Sequence, residues 1–169
     1  MRTELYWIAG PGPGRLAIMP RPRGGDWLED EMRAWRQAGV DVVVSLLTTD
    51  EVEHFDLEKE AEICRANAVE YIAFPINDRS VPASNEAAGI LLSRIAGNLA
   101  DGKTVAIHCR QGIGRAGMIA AAVLVLSGID PATAIQNVSA ARGCSTPETP
   151  EQRRWIAESA KWRLTELRP

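Results

Sequence analysis

The chain has 169 residues, 46% hydrophobic and 24% charged, with a net charge of −3, enough for one domain over residues 1–169 with a sizeable core and no Ser/Pro-rich linker. The acidic balance argues against non-specific binding to nucleic acid or membrane surfaces. The start Met-Arg-Thr-Glu-Leu lacks a signal-peptide core, the longest apolar run, residues 116–126, is too short to span a bilayer, and three cysteines fit a reducing compartment, so a cytoplasmic protein is expected.

In chain order, periodicity predicts strands at residues 4–8, 15–19, 40–47, 69–74 and 103–108, and helices at 26–38, 57–67, 84–99, 115–127, 131–141 and 150–166. Asp26 is placed to cap the first helix and Gly39 to end it; Gly128 closes the long apolar helix, and Asp130 with Pro131 opens the next. Thr149-Pro-Glu-Gln152 reads as a capping box with Pro at the first helical position. This alternation implies an α/β fold with a largely parallel sheet covered by helices on both faces. The run Gly10-Pro-Gly-Pro-Gly14 is a connector; its prolines lack the N–H donors of a nucleotide cradle.

The stretch His108-Cys-Arg-Gln-Gly-Ile-Gly-Arg-Ala-Gly117 lies between the last predicted strand and the Ala-rich helix. A thiol there sits at a helix N-terminus, where unpaired N–H groups and the dipole lower a cysteine pKa from about 8.5 into the ~3.5–7.5 range, so Cys109 is expected to be a thiolate near neutral pH. Gly112 and Gly114 allow the backbone of Arg110, Gln111, Gly112, Ile113 and Gly114 to turn its amides inward on an oxyanion. Arg115, five residues beyond the sulfur, can close on two oxygens with its planar fork. Nucleophilic sulfur facing a held phosphate implies attack on phosphorus. Arg110 and Gln111 should point outward, with Arg110 either drawing in an anionic substrate or serving only the local potential. His108, one strand position earlier, points away from Cys109 and orients the loop.

This HCX5R pattern closely resembles the cysteine-dependent protein tyrosine phosphatases, in particular the compact dual-specificity branch that includes the kinase-associated phosphatases. Residues 25–32, 38–47 and 74–82 resemble that branch's opening helix, strand and general-acid loop. The resemblance implies a phosphatase-type three-layer α/β/α fold and a two-step reaction through a phosphocysteine, needing no metal or other cofactor. Asp78 then protonates the leaving oxygen and afterwards activates water. It also implies a water-positioning role for Gln152, beside the capping role that its local pattern favours. The family usually has Ser or Thr after the loop arginine, where this chain has Ala116. A hydrogen bond to a charged group is worth about 1.5–3 kcal/mol, so the phosphoenzyme is expected to break down slowly, roughly ten- to a hundredfold.

The partner expected is a phosphorylated protein or small phosphate monoester, drawn by Arg115, Arg110 and a further arginine, Arg79 or Arg142. Two other readings stay open: a phosphoprotein-binding module, through Ala116, and a rhodanese-like sulfurtransferase, whose loop usually has four residues before its arginine. His54, Cys64 and Cys144 lack metal-ligand spacing, while redox control through Cys64 or Cys144 stays open. The tryptophans at 7, 27, 35, 155 and 162 are expected to pack rather than to stack on bases.

Overall fold

The computed structural model describes residues 3–10 and 12–166. Five strands, β1 (Tyr6–Ile8), β2 (Arg15–Pro20), β3 (Val42–Ser45), β4 (Glu70–Ala73) and β5 (Thr104–Cys109), form one sheet in the order β1-β2-β5-β3-β4. Only the β1–β2 pair is antiparallel. β3 and β5 are buried throughout, as their apolar runs require of strands covered on both sides.

Pleating sends alternate side chains of β5 to opposite layers. Val105, Ile107 and Cys109 pack with the core beneath α4 (Asn85–Ala100), α5 (Gly114–Leu126), α6 (Pro131–Arg142) and α7 (Pro150–Glu166). Ala106 joins Met32, Trp35 and Cys64 from α1 (Leu28–Gln37) and α3 (Glu60–Ala66). Helix α5 is buried on nearly every side, which its small Ala and Gly residues permit between the sheet and the flanking helices. The carboxyl ends of β2, β3, β4 and β5 therefore open onto one edge. No helix among the described residues is long and apolar enough to cross a membrane.

Several local expectations change. Asp26 makes no capping hydrogen bond: the chain enters α1 through a 3-10 turn, Gly25–Trp27, and Gly25 N–H is held by the Asp56 carbonyl at 3.0 Å. The helix expected at 57–67 is the shorter α3, and a separate helix α2 (Thr49–His54) precedes it. A capping box supports α2, with Thr48 accepting from Glu51 N–H and Glu51 accepting in return. Asp130 caps α6 through the Thr133 N–H, and Thr149 with Gln152 forms the expected box on α7. Trp35 and Trp155 are buried, and Trp162 meets Trp155 edge to face. Trp7 and Trp27 instead lie on the surface beneath the guanidinium groups of Arg15 and Arg23.

Candidate active site

Cys109 ends β5 and the next four residues lead into α5, so its sulfur stands before a helix N-terminus. The carbonyls of the loop are all held from outside it. Arg21 N–H donates to Arg110 O at 3.3 Å, Arg142 donates to Gln111 O and Gly112 O, and the Thr146 hydroxyl donates to Ile113 O at 2.7 Å. By contrast, no hydrogen bond among the described residues takes the N–H of Gln111, Gly112, Ile113 or Gly114. With the oxygens turned outward, these amides form a concave donor set suited to an anion.

Gly112 is required twice over: its φ is +70°, and a Cβ there would lie 2.4 Å from the Met19 carbonyl carbon. Gly114 differs from expectation. It is already the first residue of α5 and has no left-handed backbone; a side chain there would instead press on Glu148 at 3.2 Å. Arg110 and Gln111 are exposed, as expected, and line a cleft of about 190 Å³ with Asp78, Arg79, Cys109 and Arg115.

Arg115 is 2% exposed. Its Nη1 donates to Glu51 Oε2 at 2.8 Å and to the Ile76 carbonyl at 2.9 Å, and its Nη2 donates to Glu51 Oε1 at 2.8 Å. The Nη1/Nη2 face of the planar fork is thus occupied by Glu51. Of the five N–H donors of the guanidinium, the one on Nε has no partner among the described residues, and Nη2 also faces Asp78 Oδ1 at 3.4 Å. Burial works to raise the Glu51 carboxyl, but hydrogen bonds from Arg115 and Thr48 outweigh it and hold the pKa below the ordinary value. Burial likewise pulls Arg115 down, yet the Glu51 hydrogen bond and the charges of Cys109, Glu51 and Asp78 leave it raised. Both partners remain charged. Sequence reasoning missed Glu51; the Thr48-x-x-Glu51 pattern was the available signal.

Asp78 lies in the segment following β4, 54% exposed, with Oδ1 3.4 Å from Arg115 Nη2. The next residue, Arg79, takes a left-handed φ of +60° and pairs with Glu148 at 3.4 Å. Gln152 is fully buried. Besides the capping box, its Nε2 donates to Ser80 O at 3.1 Å, tying the Asp78 segment to α7. Arg142 supports the loop carbonyls and stacks on Tyr6 rather than lining the cleft.

Behind the sheet, His108 Nε2 lies 2.6 Å from Glu60 Oε1, both fully buried, confirming that its side chain points away from Cys109. His108 Nδ1 and Glu60 Oε2 have no partner among the described residues. Ala116 is buried in the first turn of α5. Cys64 is buried, and burial pushes its thiol well up, so it is no accessible redox thiol. Cys144 is exposed.

Residues 17–129 match the model of the family described as Tc-R-P, polymorphic toxin system, DSP-PTPase phosphatase. The 197R protein of Invertebrate iridescent virus 6, named as a tyrosine phosphatase, is 30% identical over 155 residues, covering 89% of this chain and 54% of its own. The chain thus spans about half the length of that curated relative. Among solved structures, kinase-associated phosphatase with its catalytic cysteine changed to serine superposes with a TM-score of 0.88 at 16% identity, covering 99% of each chain. Tk-PTP in its active form gives a TM-score of 0.75 at 28% identity, covering 93% of this chain and 96% of its own. Sulfur transfer has no support in these likenesses.

Proposed function

We propose that this chain, a member of the DSP-PTPase phosphatase family of polymorphic toxin systems, hydrolyses phosphate monoesters, phosphotyrosine and also phosphoserine or phosphothreonine, through a phosphocysteine. The observation that carries this reading is that the loop carbonyls from Arg110 to Ile113 are all held from outside the loop, while the amides of Gln111 to Gly114, beside the Cys109 cleft, have no acceptor among the described residues.

In the first step the Cys109 thiolate attacks phosphorus. The S–P bond forms as the P–O bond to the leaving group breaks, and Asp78 gives its proton to the departing oxygen. The loop amides and the Nε edge of Arg115 hold the equatorial oxygens as their charge shifts. In the second step the Asp78 carboxylate takes a proton from water, the hydroxyl oxygen bonds to phosphorus, and the P–S bond breaks, releasing phosphate and restoring the thiolate. Glu51 acts through Arg115 as a positioning residue. Gln152 holds the Asp78 segment through Ser80. A nucleophilic thiol stays active only while reduced, which supports a cytoplasmic setting as part of the proposal.

Ala116 favours a second reading, in which the phosphoenzyme forms but releases phosphate so slowly that the protein works as a phosphoprotein-binding module. Phosphate release from an aryl phosphate separates the two. Multiple turnovers, lost in Cys109→Ser and strongly reduced in Asp78→Ala, support the phosphatase; a single stoichiometric burst supports the binding module; full activity in Cys109→Ser contradicts both.

A further inference from the structure

The loop carbonyls do not depend equally on their outside donors. Arg110 O is held by the main-chain N–H of Arg21, which no side chain supplies. Ile113 O accepts twice, from the Thr146 hydroxyl at 2.7 Å and from the Gly117 N–H at 3.1 Å as α5 begins. Gln111 O and Gly112 O have one donor each among the described residues, and one side chain supplies both: Arg142 Nη2 reaches Gln111 O at 3.3 Å and Arg142 Nε reaches Gly112 O at 3.2 Å. These two carbonyls belong to the peptide units on either side of Gly112. The residue that must be glycine to fit against Met19 is also the one whose backbone turns most freely, so the planes beside it are the ones most in need of an anchor. Both are trans, and a trans peptide points its C=O and N–H in opposite directions. Drawing Gln111 O and Gly112 O outward therefore turns the N–H groups of Gly112 and Ile113 to the inner side of the loop. Each relay runs from a charged N–H through a carbonyl to an amide, an alignment in which the first hydrogen bond strengthens the next.

Arg142 is suited to this task. It is the last residue of α6, it has no ion pair among the described residues, and its planar fork spans two acceptors where a lysine meets one. Tyr6, on the edge strand β1, lies under it, with the guanidinium carbon 4.1 Å from the ring centroid. We propose that Arg142, braced on Tyr6, is a positioning residue for phosphoryl transfer at Cys109, aiming the Gly112 and Ile113 amides at the phosphoryl oxygens without touching the substrate. The inference rests on the phosphatase reading and extends its machinery to the end of α6 and to β1, neither of which lines the cleft. Such a residue differs from one that only stabilises the fold: its loss weakens the grip on an oxyanion in every molecule that remains folded.

The test measures tungstate binding by calorimetry and kcat/KM for an aryl phosphate in the wild type, Arg142→Gln, Arg142→Lys, Tyr6→Leu and Tyr6→Phe. Tungstate is a tetrahedral oxyanion and reads the cradle whether or not turnover occurs. Arg142→Gln is expected to weaken tungstate about tenfold, the worth of one charge-assisted hydrogen bond, and to lower kcat/KM about 100-fold, as loss of one oxyanion donor does. Arg142→Lys should recover only part of either. Tyr6→Leu should show a smaller loss of both, which Tyr6→Phe, keeping the ring, reverses. A tungstate Kd unchanged in Arg142→Gln, whether at full stoichiometry or with fewer sites per molecule, would overturn the proposal and leave the phosphatase reading intact. If Arg142→Gln does not fold, the Tyr6 pair decides: equal tungstate affinity in Tyr6→Leu and Tyr6→Phe would overturn it. A wild type that binds tungstate yet turns over neither an aryl phosphate nor a phosphopeptide would overturn the phosphatase reading, and with it the catalytic half of the proposal, while the affinities still decide whether Arg142 aims the amides.

Discussion

The loop after β5 and the segment after β4 meet at the same cleft but are built differently. Each carbonyl from Arg110 to Ile113 is tied to a donor outside the loop, and Gly112 fits against the Met19 backbone with no room for a side chain. The Asp78 segment is anchored at its ends, by Leu46 and Arg115 at Ile76 and by Gln152 at Ser80, whereas Asp78 and Arg79 between them are held, among the described residues, only by ion pairs at 3.4 Å to Arg115 and Glu148. Its carboxyl bearer is half exposed, and the left-handed Arg79 stores about 1–3 kcal/mol of strain beside it. An anion cradle works by being preorganised, whereas a carboxyl with the role proposed for Asp78, giving and then taking a proton, tolerates a more adjustable mount. The contrast implies that substitutions in the Asp78 segment change rate with little effect on stability, while those supporting the cradle change both.

The largest effect expected is at Asp78. Asp78→Ala should lower kcat by about 10²–10⁴ while unfolding stability stays within about 0.5 kcal/mol, as denaturant titration can check. A large loss of stability would erase the contrast. Next comes Glu51→Gln, which leaves Arg115 buried without its bidentate partner and should cost about 3–5 kcal/mol, with kcat/KM falling in parallel. Because the Glu51 carboxyl is held below its ordinary value in the folded chain, its stabilising contribution is complete above an unfolded pKa of about 4.3 and disappears as pH falls through the depressed native value. The stability gap between wild type and Glu51→Gln should therefore close on acidification below about pH 4; a gap independent of pH would mean that the pair's charge is not what stabilises.

Much of this contrast was visible in residue order, though unevenly. The cradle was legible because strand, cysteine, glycines, arginine and helix follow one another without a gap, and strand alternation placed His108 on the far side of the sheet from Cys109. The supports were not, because they arrive from distant segments. Glu51 sits on a six-residue helix whose Thr-Asp-Glu-Val-Glu-His run has no apolar stripe, so only its capping box announced it. Glu60 lies in the charged run Glu58-Lys-Glu-Ala-Glu62, whose pattern does not single it out, yet it is fully buried against His108. Asp26 failed as a cap because a contact across thirty residues of sequence, to Asp56, sets the entry to α1. Gly114 needs no turn conformation because it already begins α5, and Trp7 and Trp27 lie on the surface under Arg15 and Arg23 instead of packing in the core.

Two smaller effects sharpen the contrast further. Ala116→Ser places a hydroxyl in the first turn of α5 and should speed phosphoenzyme breakdown roughly ten- to a hundredfold, on a hydrogen bond of about 1.5–3 kcal/mol to the departing sulfur. In rapid-mixing experiments with an aryl phosphate, the wild type should show a burst that shrinks in the variant; a wild type without a burst, and unchanged turnover in Ala116→Ser, would remove the second step as the slow one. Gln152→Ala should cost about 1 kcal/mol through the lost α7 cap and loosen Ser80, so kcat should fall modestly. A kcat equal to the wild type would show that the tether does not steer Asp78.

The most direct measurement is acid quenching during turnover of an aryl phosphate, followed by proteolysis and mass spectrometry of the segment containing Cys109. One phosphoryl group on Cys109 should accumulate in the wild type and be absent from Cys109→Ser, which should not turn over. Phosphate release by Cys109→Ser at the wild-type rate, or a phosphoryl group trapped on another residue, would mean that the sulfur in this cradle is not the nucleophile.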